Sequence, residues 1–327
     1  MEKRKVGDTG IEISAIGLGC WPMGGTGWGK PDDEESIRTI HKSLELGVNF
    51  FDTHFLYGRG HSEEVLGRGL AGRREKAVIA TKVAIDLTPD AIESQVSEAL
   101  ERLKTDYVDI LFIHWPNRSQ PLAQTMEAME ELRRDGRVRA VGVSNFDVDL
   151  IEMASKYGTV DIVQSPYNLI WRFIEEDVLP HCMNAGIGIC TYGSLAQGLL
   201  TGTIRLNMRY DRMDYRPSSV LWRPENLGKC LYTAERLRPI AENLGVTVAQ
   251  LSLRWLTLQQ GVTTALVGAR TVEEIVENVG AFSWSFPESA MKEVQEISDE
   301  LYLSMPYYYD MWGNWSNVYR RGPQRET

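Results

Sequence analysis

The chain has 327 residues, 43% of them hydrophobic and 24% charged, with a mean hydropathy of -0.27, the balance of an ordinary soluble globular protein rather than a disordered or membrane one. A net charge of -10 and a pI near 5.2 argue against a nucleic-acid partner, which calls for a basic face. Met1-Glu2-Lys3-Arg4-Lys5 runs into Gly7-Asp8-Thr9-Gly10 without an apolar leader, and no stretch is apolar enough to span a bilayer, so a cytoplasmic location without an anchor is expected. Cys20, Cys182, Cys190 and Cys230 form no Cys-x-x-Cys pair and no two histidines stand at His-x-x-x-His spacing, so reduced structural thiols and no metal site are expected.

Ile11 to Gly19 reads as an opening strand or hairpin that ends in the glycine-rich turn Gly17-Leu18-Gly19-Cys20-Trp21. Asp32 and Asp33 offer N-caps to a helix with Ile37, Ile40 and Leu44 on one face, and Gly47 ends it. Phe50-Phe51-Asp52 follows as a strand that opens into a loop carrying Tyr57. Ser62 is placed to cap the next helix, with Glu63 and Glu64 in its first turn. Ala77 to Lys82 and Val108 to Ile113 are short apolar runs of the kind buried on both faces of a parallel sheet. Between them Thr88-Pro89 starts a helix striped by Ile92, Val96, Leu100 and Leu103.

The alternation goes on with a helix over Leu122 to Leu132, strands at Val138 to Val143, Val160 to Gln164 and Ile187 to Tyr192, and helices over Leu150 to Tyr157 and Glu175 to Asn184. Residues 201–230 break the rhythm and read as a functional loop after the seventh strand, a candidate lid. Thr247-x-x-Gln250, Thr271-x-x-Glu274 and Ser285-x-x-Glu288 have capping-box spacing, and Ala265 to Gly268 is the last strand. Counting Ile13 to Leu18, eight strands alternate with helices, which predicts an α/β fold: a (β/α)8 TIM barrel with an extended C-terminal tail. One domain over residues 1–327 is expected, with a core over 4–282 and an extra helix and aromatic tail over 285–327. A doubly wound fold would need Gly-x-Gly-x-x-Gly after the first strand, and the cluster Gly24 to Gly29 precedes a proline-containing loop instead.

In a barrel the C-terminal strand ends meet on one face, which would gather Asp52, Lys82, His114, Asn145, Gln164, Tyr192 and Gly268. A tyrosine is a poor proton shuttle near neutrality, because its pKa lies near ~10, unless a cation stabilises the phenolate. Lys82 could be that cation for Tyr57, with Asp52 holding the lysine and His114 donating to a carbonyl oxygen. Such a set suits protonation of an oxygen that gains negative charge.

Phe51-Asp52-Thr53, Tyr57-Gly58-x-Gly60-x-Ser62-Glu63, Thr81-Lys82, Ile113-His114-Trp115-Pro116 and Val141 to Phe146 together resemble the aldo-keto reductases. So do Gln164-Ser165-x-Tyr167-Asn168, the stretch Tyr192 to Gly202, and Gly268-Ala269-Arg270 with Glu277-Asn278. The resemblance implies an oxidoreductase that reversibly reduces an aldehyde or ketone, with NADP as cofactor and NAD as the alternative, and no Rossmann domain. It implies catalytic roles for Asp52, Tyr57, Lys82 and His114. Ser144, Asn145 and Gln164 would hold the carboxamide, Tyr192 and Trp21 would meet the cofactor, and Gly193, Ser194, Leu195, Gln197, Gly198 and Leu200 would wrap its pyrophosphate.

Gly268, Arg270, Glu274, Glu277 and Asn278 would surround the adenosine end, with Arg270 on a 2′-phosphate. Glu274 stands where arginine or glutamine is common and would repel that phosphate, unless it turns back to its own helix start. Trp21, His54, Phe55 and Trp115, with Tyr215 or Trp222 of the long loop, are expected pocket walls. His54 is a departure from the small residue usual there. Tyr307, Tyr308, Tyr309, Trp312 and Trp315 of the tail either add to these aromatic walls or pack on the barrel or on another copy, so a homo-oligomer stays open. The expected partner is a small carbonyl or alcohol, with no nucleic acid and no membrane. A slow, NADP-binding regulatory subunit is the alternative reading.

Overall fold

The computed structural model describes residues 1–306 and 310–312. An antiparallel hairpin, β1 (Lys3–Lys5) and β2 (Glu12–Ser14), precedes eight parallel strands that close into a barrel. These are β3 (Ile16–Gly19), β4 (Phe50–Asp52), β5 (Val78–Val83), β6 (Val108–Ile113), β7 (Val138–Ser144), β8 (Ile162–Pro166), β9 (Gly188–Tyr192) and β10 (Val262–Gly268). The helices between barrel strands are α1 (Asp33–Glu45), α2 (His61–Gly69), α3 (Pro89–Leu103), α4 (Leu122–Arg134), α5 (Val148–Ser155), α6 (Val178–Ala185), α7 (Pro224–Asn243) and α8 (Val248–Leu258). After β10 come α9 (Val272–Val279) and α10 (Glu288–Ser304).

Side chains alternate in and out along a strand, and this parity builds the interior. Phe50, Val78, Ala80, Ile110, Phe112, Ala140, Ile162, Cys190 and Leu266 fill the barrel, and Val6, Ile11 and Ile13 around the hairpin join the same cluster. Phe51, Ile79, Leu111, Val141 and Val163 face the helices. Large and small residues interlock: Phe112 occupies the space a side chain at Gly142 would need, since a Cβ there would stand 2.4 Å from its ring.

Asp32 starts α1 by accepting from the Glu35 N–H at 3.0 Å, and Thr247 with Gln250 forms a full capping box on α8. The other two expected boxes differ. Thr271 accepts from Glu274 N, but the Glu274 carboxylate takes the Arg270 N–H at 2.7 Å instead of that of Thr271. α10 begins at Glu288 with Pro287 at the N-cap position, and the proline ring carries no hydrogen-bonding group, so the helix has no side-chain cap. Ser62 lies inside α2, whose N-cap is Gly60, and its hydroxyl donates to Cys20 O at 2.8 Å. The long connection after the seventh barrel strand ends sooner than the sequence reading placed it, since α7 starts at Pro224, a first-turn proline.

The four cysteines are buried and free, and burial raises the pKa of each thiol. Among the described residues no helix is long and apolar enough to cross a membrane. Tyr307 to Tyr309 and Trp315 lie outside the described residues.

Gly142→Ala is expected to destabilise the fold by about 1–3 kcal/mol through overpacking, and Phe112→Leu in the same chain should recover part of that loss. Denaturant melts of the single and double variants check it; equal stability of Gly142→Ala and wild type would contradict the interlocked interior.

Candidate active site

The interior parity of each strand runs out at its C-terminal end on a polar group or a glycine. Two residues beyond Phe50 comes Asp52; beyond Ala80, Lys82; beyond Phe112, His114. The same step from Gly142, Ile162, Cys190 and Leu266 gives Ser144, Gln164, Tyr192 and Gly268. Asn145 follows Ser144 in the left-handed region, φ 62°, which turns its side chain back toward the barrel mouth. All of these except Lys82 line one cavity of about 640 Å³, with Tyr57 among them.

Lys82 lies beneath the cavity. Its ammonium donates to Asp52 Oδ1 at 2.6 Å, to Thr53 O at 2.9 Å and to the Tyr57 hydroxyl at 3.4 Å. Burial pulls its pKa down, but the Asp52 and Tyr57 contacts outweigh that and hold it above the ordinary lysine value. Gln164 Nε2 donates to the second Asp52 oxygen at 3.0 Å, so the carboxylate is held from two strands. Burial pushes the Tyr57 phenol up to about 12, against the pull of the Lys82 charge. The sequence argument has Lys82 stabilising phenolate; here desolvation wins, and the phenol keeps its proton at neutral pH.

The loop that carries Tyr57 is pinned at close quarters. Ser62 and Thr53 share a hydroxyl–hydroxyl bond of 2.9 Å, and the buried Glu63 accepts from Thr81 Oγ1 at 2.6 Å and Arg102 Nε at 2.7 Å. Gly24 and Gly58 pass so closely that a Cβ on Gly24 would stand 2.4 Å from the Tyr57 carbonyl carbon. The Trp21 ring stacks on Tyr57 at 5.7 Å, and Trp28, Tyr215 and Trp312 crowd around it at 5.6, 5.5 and 5.8 Å.

On the far side of the mouth, Tyr192 donates to Asn145 Oδ1 at 2.7 Å, and Asn145 Nδ2 donates to His114 O and Ser144 Oγ, both at 3.0 Å. The chain then folds through left-handed positions at Gly193, Ala196, Gln197 and Gly198, which brings backbone close to the cavity. Ser194 ties this turn to Leu266 O at 2.7 Å, and buried Met311 packs on Gly193 and Gln197. Arg270 and Glu274 line the same cavity and pair with each other at 3.4 Å, with Glu277 and Asn278 beside them.

Of the residues singled out in the sequence, Trp21, Trp115, Gly193, Ser194, Leu195, Gln197 and Gly198 also line the cavity. Leu200 is fully buried and does not, and Phe55, Tyr215 and Trp222 are likewise not on its wall. His54 is also fully buried and off the cavity wall, packed edge-on against His114 at 4.4 Å. The sequence reading missed Trp28, Thr201, Thr203, Ile204 and Arg216. A large aromatic inside the glycine cluster was the legible signal for Trp28. Arg216, paired to Asp214 at 2.5 Å, sits in a loop without periodicity and gave none.

The family model described as "Aldo/keto reductase family" matches residues 15–299. The chain belongs to that family. This aldo/keto reductase is 35% identical to "Aldo-keto reductase YhdN" of Bacillus subtilis, over 91% of this chain and 93% of that one. It is 33% identical to the "NADH-specific methylglyoxal reductase" of Escherichia coli, over 92% and 99%. The structure of a glycerol dehydrogenase from Gluconobacter oxydans superposes with a TM-score of 0.84 at 32% identity, covering 94% of this chain and 97% of that one.

Burial first, and the Lys82 charge after it, hold the pKa of His114 well below the histidine value; burial does the same to His54, helped by His114, Lys82 and Arg102. In the unfolded reductase both rings take up a proton below about pH 6.5, while the folded ones stay neutral, so the unfolded state binds more protons there and stability falls as pH falls. His54→Phe is expected to flatten this acid loss, by up to about 1.4 kcal/mol per pH unit. Denaturant melts between about pH 5 and 7 measure it; equal slopes for variant and wild type would contradict two buried neutral rings.

Proposed function

We propose that the chain catalyses the reversible reduction of an aldehyde or ketone with a nicotinamide cofactor, Tyr57 giving its hydroxyl proton to the substrate oxygen. The observation that carries this reading is the buried chain Asp52, Lys82, Tyr57, with contacts of 2.6 and 3.4 Å, opening into the cavity beside His114. Because the phenol keeps its proton at neutral pH, Tyr57 is poised as an acid. The ammonium of Lys82 lies where negative charge appears on the phenolic oxygen once that proton leaves, and Asp52 keeps the ammonium charged and in place. His114 supplies a second donor to the same substrate oxygen.

The residues present fit an extended dinucleotide. The left-handed turn through Gly193, Ala196, Gln197 and Gly198 brings backbone to the cavity, as a pyrophosphate requires. Ser144, Asn145 and Gln164 would hold the carboxamide and Tyr192 would face the nicotinamide ring. When bound, the nicotinamide supplies the hydride from its C4 position. Trp21, Trp28, Trp115 and Trp312 form aromatic walls for a small substrate. The names of the relatives, a methylglyoxal reductase and a glycerol dehydrogenase, support a small carbonyl or alcohol.

Arg270 is the proposed contact for the 2′-phosphate of NADP. Glu274 holds it and adds a negative charge that would accept a bond from the free 2′-hydroxyl of NAD, so both cofactors are expected to bind; the NADH-specific relative supports the second.

Tyr57→Phe should bind NADPH and NADH as wild type does, while turnover against a panel of aldehydes and ketones falls by about 10²–10⁴-fold. Fluorescence titration and nicotinamide absorbance measure the two, and retained turnover would remove Tyr57 from the role. With wild type, reduction should be flat over about pH 6 to 9 while oxidation of the alcohol rises with pH, because that direction needs the phenolate. Glu274→Gln is expected to shift the ratio of NADPH to NADH affinity by about tenfold toward NADPH; an unmoved ratio would show that Glu274 does not read the ribose.

A further inference from the structure

His54 has no place in the chemistry proposed above, and it is built expensively. Its ring is fully buried, and neither Nδ1 nor Nε2 has a hydrogen-bond partner. Its neighbours are the Phe55, Tyr57 and His114 rings, of which His114 is nearest at 4.4 Å and 73°. The His114 ring lines the cavity, yet its Nδ1 is buried and equally without a partner, which leaves Nε2 to face the substrate. Three orphaned ring nitrogens on two rings in contact are far from the usual state of buried polar atoms.

Two neutral imidazoles hold two N–H donors and two lone pairs. They can serve each other in two directions. If a His54 N–H serves His114 Nδ1, then His114 carries its own proton on Nε2 and offers it to the cavity. If His114 Nδ1 is the donor, Nε2 presents a lone pair there, which repels a carbonyl oxygen. Which ring nitrogen carries the proton is set by the bond the other one makes. We propose that His54 is a positioning residue: a small turn of its ring from the unbonded, edge-on packing at 4.4 Å brings its N–H to the buried Nδ1 of His114 and fixes His114 in the tautomer whose Nε2–H faces the substrate oxygen. A phenyl ring of similar shape fills the same space but has no donor. The proposal rests on the reading of His114 as a donor to substrate, and its first readout does not depend on turnover.

The test is 15N NMR of the histidine side chains, at neutral pH, in the full chain labelled at its five histidines, with His114 assigned by the signals lost in His114→Gln. Wild type should show the proton on Nε2 of His114. In His54→Phe the Nδ1 tautomer should become populated, with kcat for carbonyl reduction about tenfold lower and cofactor affinity unchanged; His54→Gln, which restores an N–H donor, should recover part of the loss. A proton on Nδ1 in wild type, or an unchanged His114 tautomer in His54→Phe, would overturn the proposal. If His54→Phe does not fold, the wild-type tautomer and His54→Gln still decide. A wild-type chain that reduces no carbonyl would count against the proposed function alone, because the tautomer is read independently.

Discussion

The site depends on one ammonium kept out of water. Lys82 is fully enclosed, and the low-dielectric interior would strip its charge were it not for the Asp52 carboxylate at 2.6 Å. Removing one partner of such a pair strands the other and typically costs about 3–5 kcal/mol, so the pair constrains the sequence on both strands at once. Once it exists, a tyrosine brought within reach acquires a cation on its oxygen side, and the loop from Thr53 to Glu63 is tied down to bring one there.

How the pair arises is a matter of strand parity. Phe50 and Asp52, Ala80 and Lys82, Phe112 and His114 are the same inward positions, one step apart. The step from apolar to polar marks the end of the packed interior and the floor of the cavity. That is why the barrel and its floor were legible in the sequence: apolar runs ending in one polar residue, repeated with helices between them, leave few other folds open. The aldo/keto reductase match over residues 15–299 agrees with that pattern.

What the sequence did not disclose has a common cause. The reach of Gln164 to Asp52, the burial of His54 and the seat of Met311 on the Gly193 turn all depend on residues far apart in the chain that meet only in the folded state. Local capping signals failed where another group competed, as when the Glu274 carboxylate went to the Arg270 N–H and the Ser62 hydroxyl to Cys20 O. The sign of the Tyr57 shift was also beyond a pairwise argument. A nearby cation favours phenolate, and only the degree of burial shows that desolvation outweighs it.

Whether Lys82 works through Tyr57 is the question on which the proposed chemistry turns, and a double-mutant cycle on kcat/KM for carbonyl reduction answers it most directly. Tyr57→Phe, Lys82→Met and the double variant are compared with wild type, with cofactor binding and folding checked in each. If the two residues act as a unit, the double variant is no slower than the slower single one. Losses that multiply in the double variant would mean that Lys82 and Tyr57 act independently and would contradict the proposed proton donor and its tuning pair.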